Sequence, residues 1–155
     1  MAAWLLDANA LLDYEGNPVG KKLRQATRRR EHPWYLTTFG ALEVLSVLAR
    51  NRRKGVLTPH VHGLVVRQFE EDVSTTSGWV RLWHLRNKFY PRCRQMIDTH
   101  AVRAMLALSA PDSLHLLAAL DLRDRHPGLH LVTSDAALAN VARLEGLGVY
   151  DPTND

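Results

Sequence analysis

The sequence predicts a three-layer α/β/α sandwich, with a mostly parallel central sheet of four to five strands and helices on both faces. Three observations predict it. Short strand-like runs at 2–6, 34–38, 77–83, 129–133 and 148–150 alternate with longer stretches of helical periodicity. Such alternation is the pattern of successive β–α–β units, which place their strands parallel. The first run, Ala2 to Leu6, is apolar throughout, as a strand buried on both faces must be. The chain of 155 residues is of one-domain size and shows no repeat, low-complexity segment or internal linker, so 1–155 is read as one domain.

In chain order, Ala2 to Leu6 is the first strand, with Asp7 at its C-terminal end. Ala8 to Tyr14 starts a short helix that Gly16-Asn17-Pro18 breaks. Val19 to Arg30 reads as a basic surface helix. Trp34 to Thr38 is a second strand, and Thr37 or Thr38 suits the N-cap of the adjoining helix. Leu42, Leu45, Val47, Leu48 and Ala49 give that helix its apolar face, and Gly55 stops it. Pro59 opens a helix that runs to about Val73. Trp79, Val80, Leu82 and Trp83 mark a strand within Ser77 to Trp83. Ile97, Ala101, Met105 and Leu108 line one side of a helix from Arg94 to Leu108. Pro111 then opens a helix from Asp112 to about Arg125, and Pro127-Gly128 ends it. Leu129 to Thr133 is a strand, Asp135 to Leu144 a helix, and Gly148 to Tyr150 a last short strand.

Composition narrows the function classes. Hydrophobic residues make up 46% of the chain, enough for a core, and the single Cys93 excludes an internal disulfide framework. No apolar run reaches the ~20 residues of a membrane span. No basic segment followed by a long apolar one marks a leader. The expectation is a soluble, cytoplasmic protein without a membrane partner. The formal charge of +4 favours an anionic partner without identifying it. The cations cluster at Lys21, Lys22, Arg24 and Arg28 to Arg30, at Arg50, Arg52, Arg53 and Lys54, and more loosely at Arg81, Arg86, Lys88, Arg92 and Arg94. Solvated faces account for such clusters, and so does a polyanion such as nucleic acid.

Four acids stand out because their neighbours are apolar. Asp7 follows Leu5-Leu6. Glu43 interrupts Ala41-Leu42 and Val44-Leu45. Asp112 precedes the apolar turns of its helix, and Asp135 follows Leu131-Val132-Thr133-Ser134. Three of them fall at strand–helix junctions, and in parallel sheets function collects at the C-terminal strand ends. Helix capping is the plainer explanation for Asp112 and Asp135, and an outward-facing position is the plainer one for Glu43. Gathered together, such carboxylates repel one another and lose hydration, and a divalent cation relieves both problems. All-oxygen donors suit Mg²⁺ or Mn²⁺, and no Cys–His cluster points to zinc.

On these residues the chain resembles the PIN-domain ribonucleases, in particular the VapC-type toxins of type II toxin–antitoxin pairs. Leu5-Leu6-Asp7-Ala8-Asn9-Ala10 resembles the family's first motif, and Phe39-Gly40-Ala41-Leu42-Glu43 its second. Ala110-Pro111-Asp112-Ser113-Leu114-His115 resembles the third, and Leu131-Val132-Thr133-Ser134-Asp135 the fourth. Gly146 to Pro152 resembles the closing strand and tail, so the likeness spans nearly the whole chain. Ser113 stands where small apolar residues are more usual, and the tryptophan- and arginine-rich segment 79–91 has no family counterpart.

The resemblance implies a metal-dependent endoribonuclease. Asp7, Asp112 and Asp135 would bind Mg²⁺ or Mn²⁺, with Glu43 completing the pocket. Asn9, Thr133 and Ser134 would support the ligands or order water. Hydrolysis would leave a 5′-phosphate and a 3′-hydroxyl. Arg50, Arg53 and Lys54 are the expected RNA contacts. His115, one helical turn after Asp112, touches substrate, tunes a ligand, or is a hydrogen-bonded structural histidine. A cognate antitoxin and a homodimer are the implied protein partners. Two other functions fit the same residues: a PIN-like nuclease of RNA processing or structured DNA, and a non-catalytic metal- or protein-binding module.

Overall fold

The computed structural model describes residues 2–12, 32–74, 76, 78–85, 87–103 and 108–154. The expected basic helix at 19–30, its cation cluster and Arg86 lie outside them. The sheet comprises β1 (Ala2–Leu6), β2 (Trp34–Thr37), β3 (Val80–Trp83), β4 (Gly128–Val132) and β5 (Gly148–Tyr150). The strand order is β3-β2-β1-β4-β5, and every neighbouring pair is parallel. The helices are α1 (Ala8–Leu11), α2 (Thr38–Arg53), α3 (Pro59–Asp72), α4 (Phe89–Arg103), α5 (Ala110–Arg123) and α6 (Ala136–Leu144). The expected α/β/α sandwich is therefore observed.

Alternation along β1 divides the interior. Ala3 and Leu5 point to a core built with Leu129, Leu131 and the apolar faces of α5 and α6, including Leu116, Leu122, Leu138 and Val141. Leu6 points to the other face, with Leu36, Val132, α1, and Val44 and Leu48 of α2. Both β1 leucines are fully buried, each contributing about 2 kcal/mol from removal of apolar surface. A strand with apolar layers on both sides explains the uninterrupted apolar run that the sequence displays.

Local chemistry sets the element ends. The Thr37 hydroxyl accepts the Gly40 N–H at 2.7 Å and caps α2. Gly55, at φ 75°, takes the left-handed conformation just past the end of α2. Thr58 and Ser109 cap α3 and α5, each with a proline in the first turn. The one marked displacement is α4, which begins at Phe89 rather than Arg94. Pro91 lies in its first turn, where the missing N–H has no helical partner to lose.

Two of the four described cations of the third cluster form ion pairs. Arg92 pairs at 2.7 Å with buried Asp121, tying α4 to α5, and Arg94 lies 3.8 Å from Asp98. Most tryptophans pack internally: Trp4 stacks on Trp34 and on His130, and Trp79 meets Trp34 edge-on. Trp83 packs against Tyr35 and carries the Arg125 guanidinium over its ring. Phe89 and Tyr90 remain exposed. Among the described residues no helix is long and apolar enough to cross a membrane.

Candidate metal centre

The strand order reverses direction at β1: β2 and β3 lie on one side, β4 and β5 on the other. Such a switch point opens a crevice at the C-terminal strand ends. Leu6 pairs with Val132, so the next residue of each strand, Asp7 and Thr133, emerges side by side over this crevice. The Asp7 N–H is bound to the Val132 carbonyl at 2.9 Å, which fixes the start of the side chain. The buried Thr133 hydroxyl donates to Asp7 Oδ2 at 2.9 Å and accepts the Asp135 N–H at 3.0 Å. One hydroxyl thus orients the acid of β1 and the turn into α6.

Two helices close over the crevice from opposite faces. α2 brings Glu43 and α5 brings His115. His115 Nε2 lies 2.7 Å from Glu43 Oε2 and 3.7 Å from Asp7 Oδ1. One ligand atom from each of Asp7, Glu43 and His115 lies within 4.8 Å of the other two. Asp7 and His115 are buried, while Glu43 is 28% exposed, so the group is reached from solvent on the Glu43 side. The close approach of the helices depends on Gly40: a Cβ there would meet His115 Cε1 at 3.1 Å and Leu36 Cδ1 at 2.9 Å.

The electrostatics carry the mark of compressed charge. Burial pushes the Asp7 carboxyl above its ordinary value and Glu43 adds to the rise, although His115, the Thr133 hydroxyl and the Ala8 N–H pull it down. Burial pulls the His115 imidazole down. The hydrogen bond to Glu43 and the charges of Asp7, Glu43 and Asp112 outweigh it and leave the group above its ordinary value. A cation at this point relieves the acids, and the donor set of two carboxylates and an imidazole suits a divalent metal ion.

Of the four expected acids, Asp7 and Glu43 come together with His115, while Asp112 and Asp135 are not in that group of mutually close ligand atoms. Asp112 is in the first turn of α5, one turn from His115. Its Oδ2 accepts the Ser109 hydroxyl at 2.5 Å while its N–H donates to Ser109 Oγ at 3.2 Å. Asp135 is exposed and caps α6, its Oδ1 accepting the Leu138 N–H at 2.9 Å. The capping reading therefore holds for Asp135 whatever else it does. Asn9 and Ser134 are exposed beside the crevice strands. Arg50, Arg53 and Lys54 are exposed at the far end of α2. His115 is 1% exposed and bonded to acids, so it belongs to the interior of the site. Its place among the acids is not legible in the sequence, where the only signal is its spacing from Asp112.

No family model matches the chain, and no curated protein matches it significantly. Solved structures do match. FitAcB from Neisseria gonorrhoeae superposes with a TM-score of 0.66 at 16% identity, covering 98% of this chain and 99% of that chain. VapBC2 from Rickettsia felis, bound to a DNA fragment from their promoter, gives 0.62 at 10% identity, covering 96% of this chain and 98% of that chain. DNA-bound VapBC from Salmonella typhimurium gives 0.62 at 14% identity, covering 98% and 99%. The likeness is one of fold: a five-stranded parallel sheet between helical layers, the PIN-like arrangement expected from the sequence.

Proposed function

We propose that this chain is a metal-dependent endoribonuclease of the PIN type, acting as the toxin of a VapBC-like pair. The observation that carries the proposal is buried Asp7, held by Thr133 and facing Glu43 across a few ångströms at the sheet's switch point. A buried carboxylate with raised proton affinity is costly to a fold that has no use for it. Asp7 and Glu43 would hold the ion, with Asp112 and Asp135 binding directly or through water. A divalent cation held there would supply water activation and charge neutralisation of the phosphate.

The residues supply the rest. Thr133 keeps one Asp7 oxygen turned inward, leaving Oδ1 to face His115 and Glu43. Asn9 and Ser134, both exposed, would support the ligands or order water there. The exposed cations Arg50, Arg53 and Lys54 engage backbone phosphates without reading sequence. Attack by water leaves a 5′-phosphate and a 3′-hydroxyl, with no part for the neighbouring 2′-hydroxyl.

The FitAB and VapBC likenesses support a cognate antitoxin as partner, and a homodimeric toxin is proposed with it. A basic side chain from the antitoxin would compete with the metal for the same acids. The test is incubation of antitoxin-free protein with total cellular RNA in Mg²⁺ or Mn²⁺, with the cut ends sequenced. Discrete cuts with 5′-phosphates, absent with EDTA and in Asp7→Asn, are expected. A 2′,3′-cyclic phosphate product rules out this route. Cleavage confined to structured DNA moves the chain to the other PIN-like nucleases. Metal binding without any cleavage leaves a binding module.

A further inference from the structure

We propose that His115 is itself a metal ligand, so that the centre is a mixed nitrogen–oxygen site that selects a first-row transition dication over Mg²⁺. The inference rests on the reading of Asp7 and Glu43 as ligands and goes beyond the all-carboxylate set that the sequence motifs imply. Three atoms carry it. His115 Nε2 points between Glu43 Oε2 at 2.7 Å and Asp7 Oδ1 at 3.7 Å. Around an octahedral ion with bonds of about 2.1 Å, neighbouring ligand atoms are about 3 Å apart and opposite ones about 4.3 Å. The two spacings from Nε2 bracket the first figure and all three ligand atoms lie within 4.8 Å of one another, so small side-chain shifts place one ion against all three groups.

The ring is built into position. It is 1% exposed, it lies 6.0 Å from the Phe39 ring, and it fits under α2 because Gly40 has no side chain. Its Nδ1 is buried and has no hydrogen-bond partner among the described residues, so packing sets its orientation and only Nε2 meets the acids. An imidazole fixed in this way cannot swing clear of an ion held by Asp7 and Glu43. Mg²⁺ prefers oxygen donors and sheds water reluctantly, whereas the later first-row ions accept imidazole readily. Mn²⁺ takes both donor types and is visible by electron paramagnetic resonance.

The experiment is Mn²⁺ titration of the full chain, read by calorimetry and by pulsed electron paramagnetic resonance, with Mg²⁺ as competitor. Asp7→Asn defines the specific site. A histidine ¹⁴N coupling on the Asp7-dependent Mn²⁺ is expected, changing in sign and magnitude when histidine is ¹⁵N-labelled. His115→Gln should lose the coupling and about 100-fold in Mn²⁺ affinity, with Mg²⁺ affinity changed less than about three-fold. The labelled wild type carries the test even if that variant folds poorly. Asp7-dependent Mn²⁺ with oxygen ligands only overturns the nitrogen ligand and leaves the metal centre standing. Absence of any Asp7-dependent Mn²⁺ overturns both.

Discussion

At the scale of single residues, Asp7, Thr133 and His115 decide most of what the centre can do. Asp7→Asn removes a buried charge and keeps the shape. RNA cleavage should fall to the level of EDTA-treated protein, while the metal-free melting temperature holds or rises. A large drop in that temperature would mean that Asp7 is structural. Thr133→Val leaves an Asp7 oxygen and the Asp135 N–H unpaired. Urea denaturation should show a loss of about 1–3 kcal/mol. The pH dependence comes from His115 and Asp7, whose folded-state values both lie above the ordinary ones of 6.5 and 3.8. The folded chain binds both protons more tightly than the unfolded chain does. The associated stability is full below the ordinary value and is lost as pH rises through the folded one. Metal-free protein should therefore melt at a lower temperature at pH 8 than at pH 6, and a rise would contradict the shifts. Asp7 and Glu43 were legible in the sequence because a charge inside an apolar run needs a cause. His115 was not, because a histidine among leucines on α5 looks the same whether its ring meets acids or a backbone carbonyl.

At the scale of elements, most boundaries were legible because their chemistry is local: Thr37 caps a helix, Pro59 and Pro111 stand in first turns, and Gly55 follows a helix end. The start of α4 was not, because proline breaks a helix interior but is tolerated in a first turn. What the sequence hides is the closeness of elements. Gly40 looks like an unfavourable residue in the first turns of a helix, yet it lets α2 settle against His115. Gly40→Ala gains about 1 kcal/mol in helix propensity. Its Cβ would lie 2.9 Å from Leu36 Cδ1 and 3.1 Å from His115 Cε1, and such overpacking costs about 1–3 kcal/mol. Crowding should win, with lower stability in urea and weaker Mn²⁺ binding in calorimetry. An alanine variant that binds metal as tightly as wild type would show that the helix has room to move.

At the scale of the whole molecule, the parallel sheet and its two covering layers were legible from alternation alone. The strand order was not, since every parallel arrangement needs the same crossovers. That order puts β1 at the centre and makes the switch point the place where Asp7 and Thr133 meet. The cations at the end of α2 act on the same scale, through the field they present to a polyanion. Replacing Arg50, Arg53 and Lys54 with glutamine should weaken RNA binding alike for all sequences and flatten its salt dependence by about 2 in log–log slope. An unchanged slope would move the RNA path elsewhere.

The pairing of β1 with β4 joins the first residues of the chain to residues 128–132. Translation makes these partners far apart in time, with residues 7–127 between them. Until β4 has been made, Asp7 has neither the strand beside it nor the hydroxyl that holds it. A ribosome-bound fragment ending before β4 therefore carries the acids of the first three motifs in a chain that cannot yet assemble them. Any hydrolytic capacity of this protein is delayed by its own topology until β4 and the threonine after it have been made.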